Sequence, residues 1–299
     1  MSSLITSNKI GSLQINNNVS EKDHGGLRIT KKEYNFKKPP LISVVTVVLN
    51  NEKNLEECIK SVLNQSFQDF EYIIIDGISN DETLKIIKKY ENKIHYWFSE
   101  KDNGIYDAFN KGLNYFSGNM IGFINSDDIL QKNALKILSD YCNKFPNKDF
   151  YFGSVEKHWS VLYGYNSWKI NYTWNFYSSH SCGFFIKKDA AKKVGYYNTK
   201  YKYHADYDYF FRMIKNYRLK GIGTKQKELF GIFRRGGFSS QLKFEDHIYE
   251  TVMIRLDNKQ NKFFVIIIIL IKIFFNLKRL QNYKTTIFNI IKFIYKYKI

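Results

Sequence analysis

LISVVTVVLNNE, residues 41–52, is the stretch that decides the fold. Leu41–Leu49 is an almost unbroken run of β-branched and apolar residues, with no polar alternation. A half-exposed strand alternates. A continuous run of this length belongs to a strand buried on both faces, as in parallel sheets covered by helices. Directly after it Leu55, Cys58, Ile59, Val62 and Leu63 recur at helical spacing. Phe70–Ile75 is a second buried strand, and Ser79 with Glu82 reads as a capping box opening a helix through Tyr90. Ile94–Phe98 is a third strand. Ile105, Ala108, Phe109, Gly112 and Leu113 mark the next helix, and Met120–Ile124 a fourth strand. The alternation predicts an α/β protein with a mostly parallel, Rossmann-like sheet flanked by helices.

Outside this block the pattern changes. Residues 1 to about 38 are polar, with Asn16-Asn17-Asn18 and Gly25-Gly26, and are read as a loose arm ending at Pro39-Pro40. From about Asp149 aromatic strands mix with a helix around Asp189–Val194 and another from Ala205 to about Tyr217, which predicts added antiparallel strands. The expected division is a flexible arm over 1–40, an α/β domain over 41–240 and a basic amphipathic helical tail over 241–299.

The formal charge of +18 would attract nucleic acid, an anionic membrane or an anionic substrate, and by itself selects none. Aromatic residues make up 17% of the chain, which argues against disorder over most of its length. Cys58, Cys142 and Cys182 form no metal-binding or disulfide pattern, so free thiols in a reducing cytoplasm are expected. The N-terminus lacks the apolar core of a signal peptide.

In a parallel sheet, ligands bind beyond the carboxyl ends of the strands. Asn50, Asn51 and Glu52 follow the first strand and Asp76 the second. Glu100, Lys101 and Asp102 follow the third, and Asn125-Ser126-Asp127-Asp128 the fourth. Adjacent carboxylates at a strand end repel each other unless a cation or hydrogen-bond donors offset them, and magnesium or manganese is commonly held by one carboxylate plus phosphate oxygens. The competing reading of Asp128 is a helix N-cap. Asp76 could bond a nucleobase or ribose, or be a turn residue. Gly104 could bring helix amides to a pyrophosphate, or simply start a helix. Asp206, in Asp206-Tyr207-Asp208, is the candidate base for taking a hydroxyl proton; its alternative is a charge that complements the helix dipole. Asp208 is assigned a structural role or a basic partner. His180, Arg234 and Arg235 are candidate substrate contacts, the arginines for diphosphate charge. His204 is read as an ordinary polar contact.

SVVTVVLNNEKNLEECIKSVLNQSF, YIIIDGISNDET, SEKDNGIYDAFNKGL, GNMIGFINSDD, HSCGFFIKKDAAKKVGYYN, ADYDYFFRM and FRRGGFSS follow one another in this order. Over about 41–240 the chain thereby resembles the family 2 glycosyltransferases of the GT-A fold, in particular bacterial enzymes of surface-polysaccharide assembly. The resemblance implies an inverting, metal-dependent transfer from a nucleotide sugar, a UDP-sugar by default, to a glycan or lipid-linked glycan. It implies Asp76 as the nucleobase contact, Asp127 at the ribose, Asp128 at the metal and Asp206 as the base. Thr46, Asn50 and Glu52 match the donor-site edge of the first strand. Asn125 stands where many members have aspartate, and Ala205 where many have glutamate.

In the tail, Phe263–Phe275 is apolar except for Lys272 and too short to span a bilayer. Ile287, Ile290, Ile291 and Ile294 line one helical face with Lys284, Lys292 and Lys296 off it, and no acidic residue follows Asn258. An interfacial helix on an anionic inner membrane surface is expected; a helix pair closing over the domain or a homodimer contact is the alternative. A nucleic-acid-binding protein would account for the charge, but the excess concentrates in the tail and no such module is apparent. A nucleotide-binding module without catalysis would bind donor and leave it intact. A glycoside hydrolase would need a carboxylate pair and no diphosphate site.

Overall fold

Among the described residues the chain runs β1 (Asp23–Gly25), α1 (Leu27–Thr30), β2 (Ile42–Val48), α2 (Leu55–Leu63), β3 (Phe70–Asp76), α3 (Thr83–Lys89), β4 (Tyr96–Ser99), α4 (Ile105–Tyr115) and β5 (Met120–Asn125). It continues through β6 (Ile129–Leu130), α5 (Ala134–Lys144), β7 (Phe150–Phe152), β8 (Ser154–Lys157), β9 (Ser160–Leu162), β10 (Phe184–Lys187), α6 (Lys188–Val194) and α7 (Ala205–Phe211). β11 (Gly221–Gly223), β12 (Leu229–Phe233), α8 (Phe244–Asp257), α9 (Lys262–Phe275) and α10 (Tyr283–Lys296) complete it. This computed structural model describes residues 10–11, 23–30, 38–157, 160–172, 181–234, 243–276 and 283–297.

The main sheet has the order β1-β4-β3-β2-β5-β10-β7-β11. β4, β3, β2 and β5 are parallel, and β10 is antiparallel to both β5 and β7. This is the mixed continuation that the aromatic second half predicts. β2 is buried at every position because both its faces are covered. Val45 and Val47 join a core with Ala108, Phe109 and Leu113 of α4 and the apolar side of α7. Ile42, Val44 and Val48 face Leu55, Cys58, Ile59 and Val62 of α2. Each such side chain contributes about 1.5–3 kcal/mol on burial. α4 lies directly against the sheet at Gly112, where an added Cβ would come within 2.9 Å of both Phe123 and Val45. A smaller sheet, β6-β12-β8-β9, stands beside the end of β5.

Three expectations and one alternative reading need correction. Residues 23–30 are not a loose arm: β1 pairs with β4 as an edge strand, and Arg28 reaches Glu71 in the core. Ile10 is likewise buried, and Gly11 donates to Leu113 O at 2.8 Å. The capping box at Ser79 does not form, since its hydroxyl serves Asp76 and Asn50; Asp81 instead accepts from Thr83 N at 3.0 Å. Ile129-Leu130 opens a strand, and the next helix begins only at Ala134 after Asn133, so Asp128 caps no helix. The helix expected to reach Tyr217 widens into a π-turn at Arg212–Asn216.

α8 packs on the body through Ile254, a member of the main core. Its other side, Ile248, Val252 and Leu256, gathers Val265, Ile269 and Ile273 of α9 with Ile290 and Ile294 of α10. Among the described residues no helix is long and apolar enough to cross a membrane.

Candidate active site

The ends of β2, β3, β4 and β5 meet on one rim. After β2 the backbone turns through Asn50 at φ +51°, a left-handed conformation that asparagine tolerates better than most residues. Asn50 N donates to Ser79 Oγ at 2.8 Å, and Asn50 Oδ1 accepts from Asn80 N at 2.8 Å. Glu52 N donates to Asp81 Oδ2 at 3.1 Å while Glu52 Oε2 accepts from Glu82 N at 3.0 Å. These two residues therefore stitch the loop after β2 to the loop after β3. Asp76, fully buried at the end of β3, accepts from Ser79 N at 3.1 Å and from Ser99 Oγ at 2.5 Å. The rim presents it in one fixed orientation.

Thr46 is corrected. Its register puts it on the α2 side of β2, where it is fully buried with its hydroxyl 3.0 Å from Tyr72 Oη, behind the rim. Gly104 opens α4 at φ +114°, which glycine alone adopts readily, and donates its N–H to Asp102 Oδ1 at 3.0 Å. That amide is thus already engaged, and backbone conformation accounts for the glycine.

The turn Asn125–Asp128 closes with Asp128 N donating to Asn125 O at 3.0 Å, and Asn51 Nδ2 ties it to the loop after β2 through Ser126 Oγ at 2.8 Å. Asp128 is fully buried, and its Oδ1 accepts from Arg234 N at 3.3 Å. Burial pushes the Asp127 carboxyl above its ordinary value, only partly opposed by Arg234. Arg234 enters the turn through its backbone; its guanidinium is turned to Asn54 Oδ1 at 3.1 Å and to Glu57. His180 and Arg235 lie outside the described residues.

Asp206 sits in the first turn of α7. Its Oδ1 accepts from Tyr207 N at 2.8 Å and from Tyr106 Oη at 3.1 Å. Burial raises its carboxyl above the ordinary value, against the opposing pull of His204 and these two donors. Asp208 does take a structural role, accepting from Arg212 Nε at 2.8 Å and Asn258 Nδ2 at 2.9 Å. Lys157 ends β8. Burial lowers its ammonium, and Asp128 and then Asp206 oppose that shift.

A protein-family model, "Glycosyl transferase family 2", matches residues 43–215. The chain belongs to that family. An uncharacterized glycosyltransferase of Rickettsia typhi is 28% identical over 189 residues, 59% of this chain and 59% of that protein's length. A "PGL/p-HBAD biosynthesis glycosyltransferase" of Mycobacterium bovis is 26% identical over 194 residues, 59% of this chain and 71% of its own. Among solved structures, S. aureus TarS 1–349 matches with TM-score 0.57 at 18% identity, over 72% of this chain and 64% of that one. The mannosyltransferase PcManGT of Pyrobaculum calidifontis, in complex with GDP-Man and Mn2+, matches with TM-score 0.55 at 14% identity, over 88% and 77%. At these identities the structural likenesses establish the GT-A type fold. The family 2 chain has this fold, with three further helices after β12 among the described residues.

Several groups around this candidate site escape sequence reading. Tyr106 and Lys157 lie far from Asp206 in the chain; Lys157 falls in none of the quoted stretches, and Tyr106, although inside SEKDNGIYDAFNKGL, shows its contact with Asp206 only in the fold. Glu250 of α8 touches the loop that leads to Asp206.

Proposed function

We propose that this family 2 enzyme transfers a sugar from a nucleotide-diphosphate donor, a UDP-sugar, to a hydroxyl of a glycan or lipid-linked glycan, with inversion, in assembly of a cell-surface polysaccharide such as lipopolysaccharide or capsule. The observation that carries this is the single rim holding Asp76 at the end of β3 and Asp127 and Asp128 just beyond the end of β5. The TarS structures, one in complex with UDP-GlcNAc, support a uridine donor by analogy.

Asp76, held by Ser79 and Ser99, receives the base N–H, and Asp127 faces the ribose. No group of three His, Cys, Asp or Glu side chains able to hold a metal occurs among the described residues. A resident metal is not what these residues fit. The desolvated Asp127 beside buried Asp128 fits a manganese or magnesium ion shared with the donor diphosphate, held mainly by Asp128. When bound, such an ion offsets negative charge on the leaving diphosphate. Asp206 takes the proton from the acceptor hydroxyl as its oxygen attacks the anomeric carbon opposite the diphosphate; one in-line displacement inverts the configuration.

A screen of UDP- and GDP-sugars with and without manganese, followed by turnover on lipid-linked acceptors, tests the assignment. Asp128→Ala is expected to abolish the manganese enhancement of UDP binding, a loss on the order of 10-fold or more. An unchanged metal response in calorimetry would remove Asp128 from that role.

The tail supports a seat on the anionic inner face of the cytoplasmic membrane. The outer face of α9 and α10 exposes Phe263, Phe274, Phe275, Phe288 and Tyr295, the most open at 76%, while no acidic residue follows Asn258. Apolar burial and cationic attraction act together on such a surface. Co-sedimentation with phosphatidylglycerol vesicles is expected, and weaker with phosphatidylcholine. A chain that dimerises and ignores both would assign the face to a second copy.

A further inference from the structure

α8 follows the region matched by the family model, yet one of its carboxylates reaches the approach to the base. Glu250 is buried. It accepts from three successive backbone amides: Lys202 N at 2.8 Å, Tyr203 N at 3.0 Å and His204 N at 2.9 Å. It also meets His204 Nδ1 at 3.0 Å. Burial alone would raise the Glu250 carboxyl, but His204 and these amides outweigh it and hold the group below its ordinary value. These amides precede α7, the helix that carries Asp206 in its first turn. Tyr106 closes the other side, its hydroxyl 2.9 Å from Tyr203 O and 3.1 Å from Asp206 Oδ1.

Behind Glu250 the contacts continue outward. His204 Nε2 lies 2.5 Å from His247 Nδ1, and His247 Nε2 meets Lys272 Nζ of α9. With both Glu250 and Lys272 ionised, one donor order satisfies every atom. Lys272 donates to His247, His247 Nδ1–H donates to His204 Nε2, and His204 Nδ1–H donates to Glu250. Lys272, the one charge in the apolar run of α9, thus points inward and serves as the outer anchor of this chain.

We propose that Glu250 is a positioning residue of the transfer reaction, setting the direction of the Asp206 carboxylate by fixing residues 202–204, with His247 and Lys272 as its support. The C-terminal helices are then part of the catalytic apparatus and more than an anchor. This rests on the assignment of Asp206 as base. A base displaced by about 1 Å can lose roughly 100-fold in rate without loss of substrate binding.

The test uses the full chain. In Glu250→Gln, kcat with the UDP-sugar selected by the screen is expected to fall on the order of 10- to 100-fold. Donor KM and calorimetric affinity for UDP with manganese should stay within about twofold, because the hydrogen bonds of Glu250 go to residues 202–204 and to none of Asp76, Asp127 and Asp128. A folded Glu250→Gln with kcat unchanged would overturn the proposal. So would kcat and UDP affinity falling together, which marks a general brace. Should that variant fail to fold, Lys272→Met reads the far end of the chain: a smaller fall in kcat at constant UDP affinity supports positioning, and an unchanged kcat overturns it. Asp206→Asn run alongside separates the two assignments. Full transfer by that variant sinks the base, whereas a dead Asp206→Asn beside a fully active Glu250→Gln sinks the positioning role alone.

Discussion

Asp206→Asn is expected to retain UDP and manganese binding within about twofold while transfer falls on the order of 10²- to 10⁴-fold, the usual contribution of a general base. The asparagine keeps the acceptor oxygen for Tyr207 N and Tyr106 Oη, so the turn should survive and the loss should appear in kcat. The pH profile gives a second readout. A base acts only when deprotonated, and burial raises this carboxyl above 3.8. The wild-type rate should therefore decline on acidification at a pH higher than an exposed aspartate would give. Residual activity of Asp206→Asn should lack that limb. A variant with wild-type kcat and an unchanged profile would end the assignment.

Arg28→Ala carries the largest expected loss of stability. Arg28 and Glu71 are 4% and 0% exposed, and Glu71 also accepts from Ser117 N, Ser117 Oγ, Gly118 N and Ser43 Oγ. Removing the arginine leaves a buried carboxylate short of its charge partner, which costs about 3–5 kcal/mol. In a chain of this size the melting temperature should drop on the order of 10 °C. Lys88→Ala, which breaks a pair with Asp23 that is half exposed on both sides, should cost under about 1 kcal/mol. The acid side follows from the same site. Burial alone would raise the Glu71 carboxyl, but Arg28 and the hydroxyl and amide donors hold it below 4.5. Its stabilisation is thus present above the unfolded value and lost as pH falls through the lowered native one. Equal melting temperatures for wild type and Arg28→Ala would show that the pair does not hold the N-terminal segment.

The central strands were legible because Leu41–Leu49 and Phe70–Ile75 leave no polar face, which only a doubly covered sheet accommodates. The same property concealed the side on which Thr46 points, since a strand apolar on both faces has no alternation to read. Ser79 shows a local rule losing to a tertiary one: the serine has the spacing of a capping box, but a buried aspartate three residues earlier takes its hydroxyl. Asp76, Asp127 and Asp128 could be read because each lies at or just beyond the end of a strand. Arg28 could not, sitting in a polar stretch whose partner is 43 residues away. Nor could Glu250, whose sequence neighbourhood is that of an ordinary helix; only the folded chain brings it to His204.

The contact between α8 and the loop before α7 also bears on how such enzymes can diversify. A lineage that exchanged its carboxyl-terminal helices to suit a different membrane or acceptor would need to preserve a glutamate at one point of the graft, or evolve a replacement clasp, before the chemistry recovered. Modularity here stops short of the boundary that similarity suggests, and hybrid enzymes joined at the end of the matched region should be assembled with α8 kept on the catalytic parent.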